Sequence, residues 1–192
     1  MKLVLKSLVL ATATMSLVPA AFADEVGSSG TVHITGQVEQ NACVVDDDSK
    51  EKQVVLDDTF TDLLVAAGNT TGEKAFTINL KDCSYTVAQH VQLRFEGAID
   101  PRVTDGTVLQ NVEGDAHDVG IQILDASQDG NDTPMVFTRA GSNWSQPTDI
   151  PNTEDAKVAI PFKARYYVIA AGENAEISGA VDSVATFYLR YN

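Results

Sequence analysis

Apolar residues recur at every second position along much of this chain, and no stretch carries an amphipathic helical pattern of useful length. Phe76, Ile78 and Leu80 fall on one side of residues 74–81, Val91, Leu93 and Phe95 on one side of the next run, and Val119, Ile121 and Ile123 on one side of a third. Residues 156–170 carry Val158, Ile160, Phe162, Ala164 and Tyr166 in the same rhythm, and residues 181–191 carry Val181, Ala185, Phe187, Leu189 and Tyr191. A period of two puts successive side chains on opposite faces of a strand, so each run buries one row and solvates the other. Short strands of this kind, separated by Gly- and Asp-rich turns, predict an all-β sandwich.

The first residues are of a different kind. Met1, Lys2 and Lys6 precede an apolar run at residues 8–18, which closes on Ala21-Phe22-Ala23. This predicts a secretory signal peptide over residues 1–23, cleaved after Ala23. Its apolar core is too short for a membrane span, and no later stretch is long or apolar enough for one. Residues 24–192 suffice for one domain with a real core. The formal charge is −14, and loss of Lys2 and Lys6 takes it to about −16. Such a surface repels phosphate backbones and anionic lipid, so nucleic acid and membrane surfaces are not expected partners.

Cys43 and Cys83 are the two cysteines. Export makes pairing the default, because two thiols and three scattered histidines do not readily supply a zinc site. Trp144 lies beyond both cysteines rather than between them, unlike the tryptophan of antibody-type domains, so the usual inter-sheet disulfide is not expected.

The remaining segments read less regularly. Asp46-Asp47-Asp48 is taken as a solvated turn, and residues 57–68, with Phe60, Leu63, Leu64 and Val65, fit either a short helix or a loop with one apolar face. Residues 97–118 read as a long connection with one short strand at most, and residues 125–134 as a polar turn before a short apolar piece at 135–137. Pro161 marks an edge or a bulge within its strand. Trp144 is expected in a loop, covering an edge of the core.

The alternation also appears at residues 30–43, GTVHITGQVEQNAC. Gly30, Val32, Ile34, Gly36 and Val38 share one side, while Thr31, His33, Thr35 and Gln37 share the other. Lying between the leader and the first cysteine, this stretch begins as a free arm. Its apolar row is buried either in a neighbouring copy or along an edge of its own sheet.

The leader, this arm, Cys83 within INLKDC, VGIQILD at 119–125, IPFKARYY at 160–167 and the ending ATFYLRYN together resemble structural, major-type subunits of type 1-like fimbriae assembled by the chaperone–usher pathway. The resemblance implies an incomplete immunoglobulin-like β-sandwich, the pilin fold, completed by a donor strand from a neighbouring subunit. It implies a donor-strand arm at residues 24–38 and a pilin domain at 39–192, with Gly30, Val32, Ile34, Gly36 and Val38 entering the neighbour's groove. Phe187 and Leu189 would line that groove, and Tyr191 and the carboxylate of Asn192 would contact a periplasmic chaperone. The implied partners are further copies of the chain, neighbouring fimbrial subunits, the chaperone and an outer-membrane usher. The implied destination is a fimbria on the bacterial surface that mediates cell adhesion.

No nucleophile elbow, phosphate loop, paired His and carboxylate motif or zinc signature occurs in the sequence. Neither catalysis, a metal nor a cofactor is expected. Competing readings are a minor or tip-adaptor subunit, or a secreted lectin-like module using Trp144, Tyr166 and Tyr167 against a glycan.

Overall fold

The computed structural model describes residues 31–36, 41–127, 132–138 and 143–192. The leader, together with Gly30 and Val38 of the arm, lies outside them. Residues 1–38 and 39–192 are separate units. In the first, residues 31–36 form no strand, and Val32 and Ile34 are 82% and 91% exposed.

The second unit is a sandwich of two antiparallel sheets. Among the described residues its strands are β1 (Val44–Val45), β2 (Thr70–Cys83), β3 (His90–Gly97), β4 (Val119–Asp125), β5 (Thr133–Pro134), β6 (Thr148–Asp149), β7 (Ala156–Val168) and β8 (Ala185–Tyr191). One sheet has the order β1-β2-β7-β4-β5 and the other β6-β3-β8. The alternating apolar rows meet between them: Ile78, Leu80, Val91, Leu93, Phe95, Val158, Ile160 and Phe162 are buried in one cluster. Phe162 stacks on Phe76 across β2 and meets Phe95 of the facing sheet edge-on, with ring centroids 5.7 and 5.0 Å apart.

Cys43 and Cys83 form a disulfide within the larger sheet, joining the chain at the start of β1 to the end of β2. Pro161 sits in β7, a central strand, yet at a locally free point. Its carbonyl accepts from Ala126 N–H just where β4 ends its ladder at Asp125 opposite Phe162. The N–H that proline lacks therefore falls beyond the neighbouring strand.

Residues 97–118 are fastened more firmly than a long connection suggests. Leu109 bridges Ile99 on one side and Ile121 of β4 on the other. The segment crosses so close to β4 that a Cβ on Gly120 would lie 2.5 Å from a Val108 methyl and 2.6 Å from the Leu109 carbonyl oxygen. We expect Gly120→Ala to destabilise the domain by about 1–3 kcal/mol, read as a lower urea midpoint.

Arg102 clamps the same segment. Its Nε and Nη2 donate to the two oxygens of buried Asp100 at 2.9 and 2.8 Å, Nη2 also reaches the His117 carbonyl at 2.7 Å, and Nη1 pairs with Asp118. Asp118 in turn accepts the backbone N–H of Glu176 at 2.8 Å. The hydrogen bond from Arg102 holds the Asp100 carboxyl below its ordinary value of 3.8, and the Glu176 N–H, with Arg102, does the same for Asp118. Depressed carboxyls stabilise the fold above their unfolded value and lose that contribution as pH falls through the folded one. Arg102→Ala should cost about 2 kcal/mol near neutrality. Its penalty should shrink as both variant and parent are acidified below 3.8, which denaturant titrations at several pH values would show.

Candidate functional site: an open seam between the sheets

The two sheets do not close along one side. β8 pairs with β3 and, among the described residues, with no strand on its other flank. Asn192 exchanges backbone hydrogen bonds with His90 in both directions, at 3.0 and 3.1 Å. In an antiparallel ladder such pairs recur at every second residue. Thr186, Tyr188 and Arg190 therefore point their backbone groups at β3. Phe187, Leu189 and Tyr191 present theirs, N–H and C=O alike, to the free side, while their side chains pack against the core.

The opposite lip, among the described residues, likewise has no strand on its outer flank. β1 leaves β2 after Val45, where Asp46 N–H donates to the Asn79 carbonyl at 2.9 Å. A single helical turn, α1 (Asp47–Lys50), follows, capped by the Asp46 carboxylate. Ser49 is fully buried and its Oγ accepts the Asn79 N–H at 2.9 Å, replacing the next ladder bond. The acidic turn is thus the cap and first turn of a helix. Asp47 is held at about 2 by hydrogen bonds from Lys50 and Lys81. Beyond it, residues 53–56 follow the seam without a strand partner, with Val54 and Leu56 half-buried and Val55 exposed.

Between these lips lies a groove of about 1460 Å³. Its floor is apolar, made by Phe76, Ile78, Phe95, Leu109, Ile121 and Ile123, and its β8 wall by Phe187, Leu189 and Tyr191. At one end, burial pushes the Tyr191 hydroxyl up, so it stays protonated and donates to the Cys43 carbonyl at 3.3 Å. At the other end, the buried Asn111 amide fixes the approach to β8. Its oxygen accepts from Gly114 and Asp182 N–H, and its nitrogen donates to the Ala116 and Ala180 carbonyls. The sequence held no signal for Asn111, since its partners at Ala180 and Asp182 are some seventy positions away.

Asn192 does not line the groove. Its side chain donates to Gln92 Oε1 at 2.9 Å, beside Arg190. Trp144 is likewise elsewhere: it is half-buried on the outer face of the smaller sheet, with the guanidinium groups of Arg94 and Arg190 5.3 and 4.5 Å from its ring centroid. The expectation that it covers a core edge is corrected by that placement. β3 and β8 alternate, and Arg94 and Arg190 belong to their outward rows. Tyr166 lies in the groove, in the other sheet, so Trp144 and Tyr166 do not converge on one glycan surface. Among the described residues no group of His, Cys, Asp and Glu is arranged to hold a metal ion.

Two antiparallel sheets in an immunoglobulin-like sandwich, open along one seam, define a pilin-type domain. The Fimbrial protein family matches residues 32–192, and the chain belongs to that family as a structural fimbrial subunit. It is 35% identical to the type-1 fimbrial protein A chain of Escherichia coli strain K12 over 95% of this chain and 94% of that one. It is 37% identical to the type 1 fimbrial subunit of Klebsiella pneumoniae, covering 90% and 89%. The minor fimbrial subunit HifD of Haemophilus influenzae is 32% identical over 85% of this chain and 74% of its own. Among solved structures, the P pilus rod subunit PapA shares the fold, with a TM-score of 0.59 at 19% identity, covering 79% of this chain and all of that one.

Proposed function

We propose that this subunit polymerises by donor-strand exchange: the arm at residues 24–38 of one copy fills the groove in the 39–192 domain of the next. The observation that carries this reading is a seam whose floor is apolar and whose two lips, among the described residues, both lack a strand partner on the side that faces it. An open edge over an exposed core is an association hazard unless another strand covers it. The arm supplies the complementary pattern, with Val32 and Ile34 exposed on one row. Three aliphatic side chains, Val32, Ile34 and Val38, contribute about 4–9 kcal/mol on burial before ordering costs. Gly30 and Gly36 let the backbone pass where the lips are close. Main-chain bonds to Phe187, Leu189 and Tyr191 complete the joint.

Before assembly the same seam needs a temporary occupant. A periplasmic chaperone meets that need, with Phe187, Leu189, Tyr191 and Asn192 on the strand it contacts, and an outer-membrane usher passes the subunit to the surface. The product is an extracellular fimbria, with cell adhesion as the role of the organelle. The chain has a structural part in it and no catalytic one. A minor-subunit role shares every one of these features, and a relative named as minor is among those similar to the chain. The test is expression of a chain lacking residues 24–35 after the leader. It should accumulate as monomer and form no fibres by electron microscopy. Normal fibres from that truncated chain would overturn the proposal.

A further inference from the structure

The described part of the domain exposes nine large apolar side chains, and their distribution is uneven. Val55 stands on the groove lip and Tyr188 on the outer face of the smaller sheet. Val44 and Val87 lie at the end of the sandwich that holds the Cys43–Cys83 disulfide: Val87 belongs to the turn after Cys83, its N–H bonded to the Ser84 carbonyl. The other five, Phe60, Leu63, Val65, Val112 and Val184, lie at the opposite end, where β2, β4 and β8 begin and β7 finishes; Val184 also lines that end of the groove, and the other four stand outside it. Phe60 and Leu63 share one 3-10 turn, and its buried neighbour Leu64 packs in a cluster with Val119 and Val168, against which Val181 also rests. Val112 is bonded to Asp182, two residues before Val184. Phe60 is 75% and Val184 70% exposed, an unusual apolar load for so acidic a chain.

We infer that this end of the sandwich is a docking face for the disulfide end, around Val87, of the next copy of the chain. The inference rests on the donor-strand reading and adds to it a contact outside the groove. Among the described residues every strand pair in the domain is antiparallel. An arm that continues this pattern beside β8 runs from the Tyr191 end towards Ala185 and leaves the groove next to Val184 and the 3-10 turn. From residue 38 to Cys43 the chain spans at most roughly 17 Å. The donor's own body is therefore held, disulfide end first, against the acceptor's Phe60 end. A parallel arm would bring two disulfide ends together, where the acceptor's own arm is covalently attached. Unlike faces meeting head to tail also repeat without closing, as a fibre requires.

The test uses full-length chains with one added cysteine pair and a short bis-maleimide. Leu63→Cys combined with Val87→Cys should give fibres that, after crosslinking, run as ladders on reducing, denaturing gels. Tyr188→Cys combined with Val87→Cys should not. Separately, Phe60→Asp with Leu63→Asp should leave capture of a synthetic peptide of residues 24–40 within twofold of the parent while fibres dissociate at least tenfold faster on heating in detergent. Fibres that form normally yet crosslink only through the Tyr188 control, or an Asp variant with unchanged dissociation, would overturn the docking face and leave donor-strand exchange standing. Failure of the parent domain to capture the peptide would instead overturn the reading on which it rests.

Discussion

Replacing Ile34 by aspartate should abolish fibre formation while leaving the subunit's own sandwich folded. Ile34 is 91% exposed in the arm, so the isolated subunit gains nothing from it. In a neighbour's groove it would meet an apolar floor of Phe76, Ile78, Phe95 and Ile123, and the lysines that line the groove, Lys50 and Lys52, are already paired with Asp47 and Asp48. The substitution forfeits about 1.5–3 kcal/mol of aliphatic burial and adds the cost of desolvating a carboxylate without a partner. A loss of at least about 4 kcal/mol, a factor of about a thousand in groove affinity, is expected. Peptides of residues 24–40 with and without the change, titrated against the arm-deleted domain, would measure it. Thr35, on the arm's other row, is the control: Thr35→Asp should change affinity by less than about tenfold, a surface-sized effect.

The second large effect is expected from removing the disulfide. Cys43 and Cys83 are 40 residues apart, and the crosslink restricts the unfolded chain by about 4 kcal/mol in the chain-entropy treatment. That is a large share of the roughly 5–15 kcal/mol available to a typical domain, and this one has an open core. The bond has a local task as well. β1 holds β2 through only two residue pairs, Val44 with Lys81 and Val45 with Leu80, before the chain turns away. Without the bond, the lip that carries Tyr191's acceptor at Cys43 loses its anchor. A Cys43→Ala, Cys83→Ala chain should therefore fail to accumulate at 37 °C, and any folded fraction should bind the arm peptide more weakly. Equal yield and equal peptide affinity would show that the β1 pairing alone suffices.

Most of the sandwich was legible because strands advertise themselves by alternation. The runs through Phe76, Leu93, Ile121, Phe162 and Leu189 each became a strand with that row inward. Residues 31–36 alternate in the same way yet form no strand, so alternation by itself does not separate a packed strand from an extended segment. What stayed hidden depends on partners distant in sequence. The Arg102 clamp joins Asp100, His117 and Asp118, and Asn111 joins residues 114, 116, 180 and 182. These contacts turn residues 97–118 from a nominal loop into a fixed end of the groove. Trp144 misled because its neighbours looked like loop, and they are. Its ring is held by Arg94 and Arg190 of two different strands, which the local sequence does not show. Pro161 needed the position where β4 stops, a property of the adjacent strand rather than of its own.

Amide hydrogen exchange on the arm-deleted domain, with and without a peptide of residues 24–40, is the most direct measurement. Donor-strand exchange predicts that the N–H groups of Phe187, Leu189 and Tyr191, which face the open seam, exchange rapidly alone and become strongly protected with the peptide. The N–H groups of Tyr188 and Arg190, already turned towards β3, should change much less. Protection of Phe187, Leu189 and Tyr191 without any peptide, or no change on adding one that binds, would contradict a groove filled by the arm of another copy.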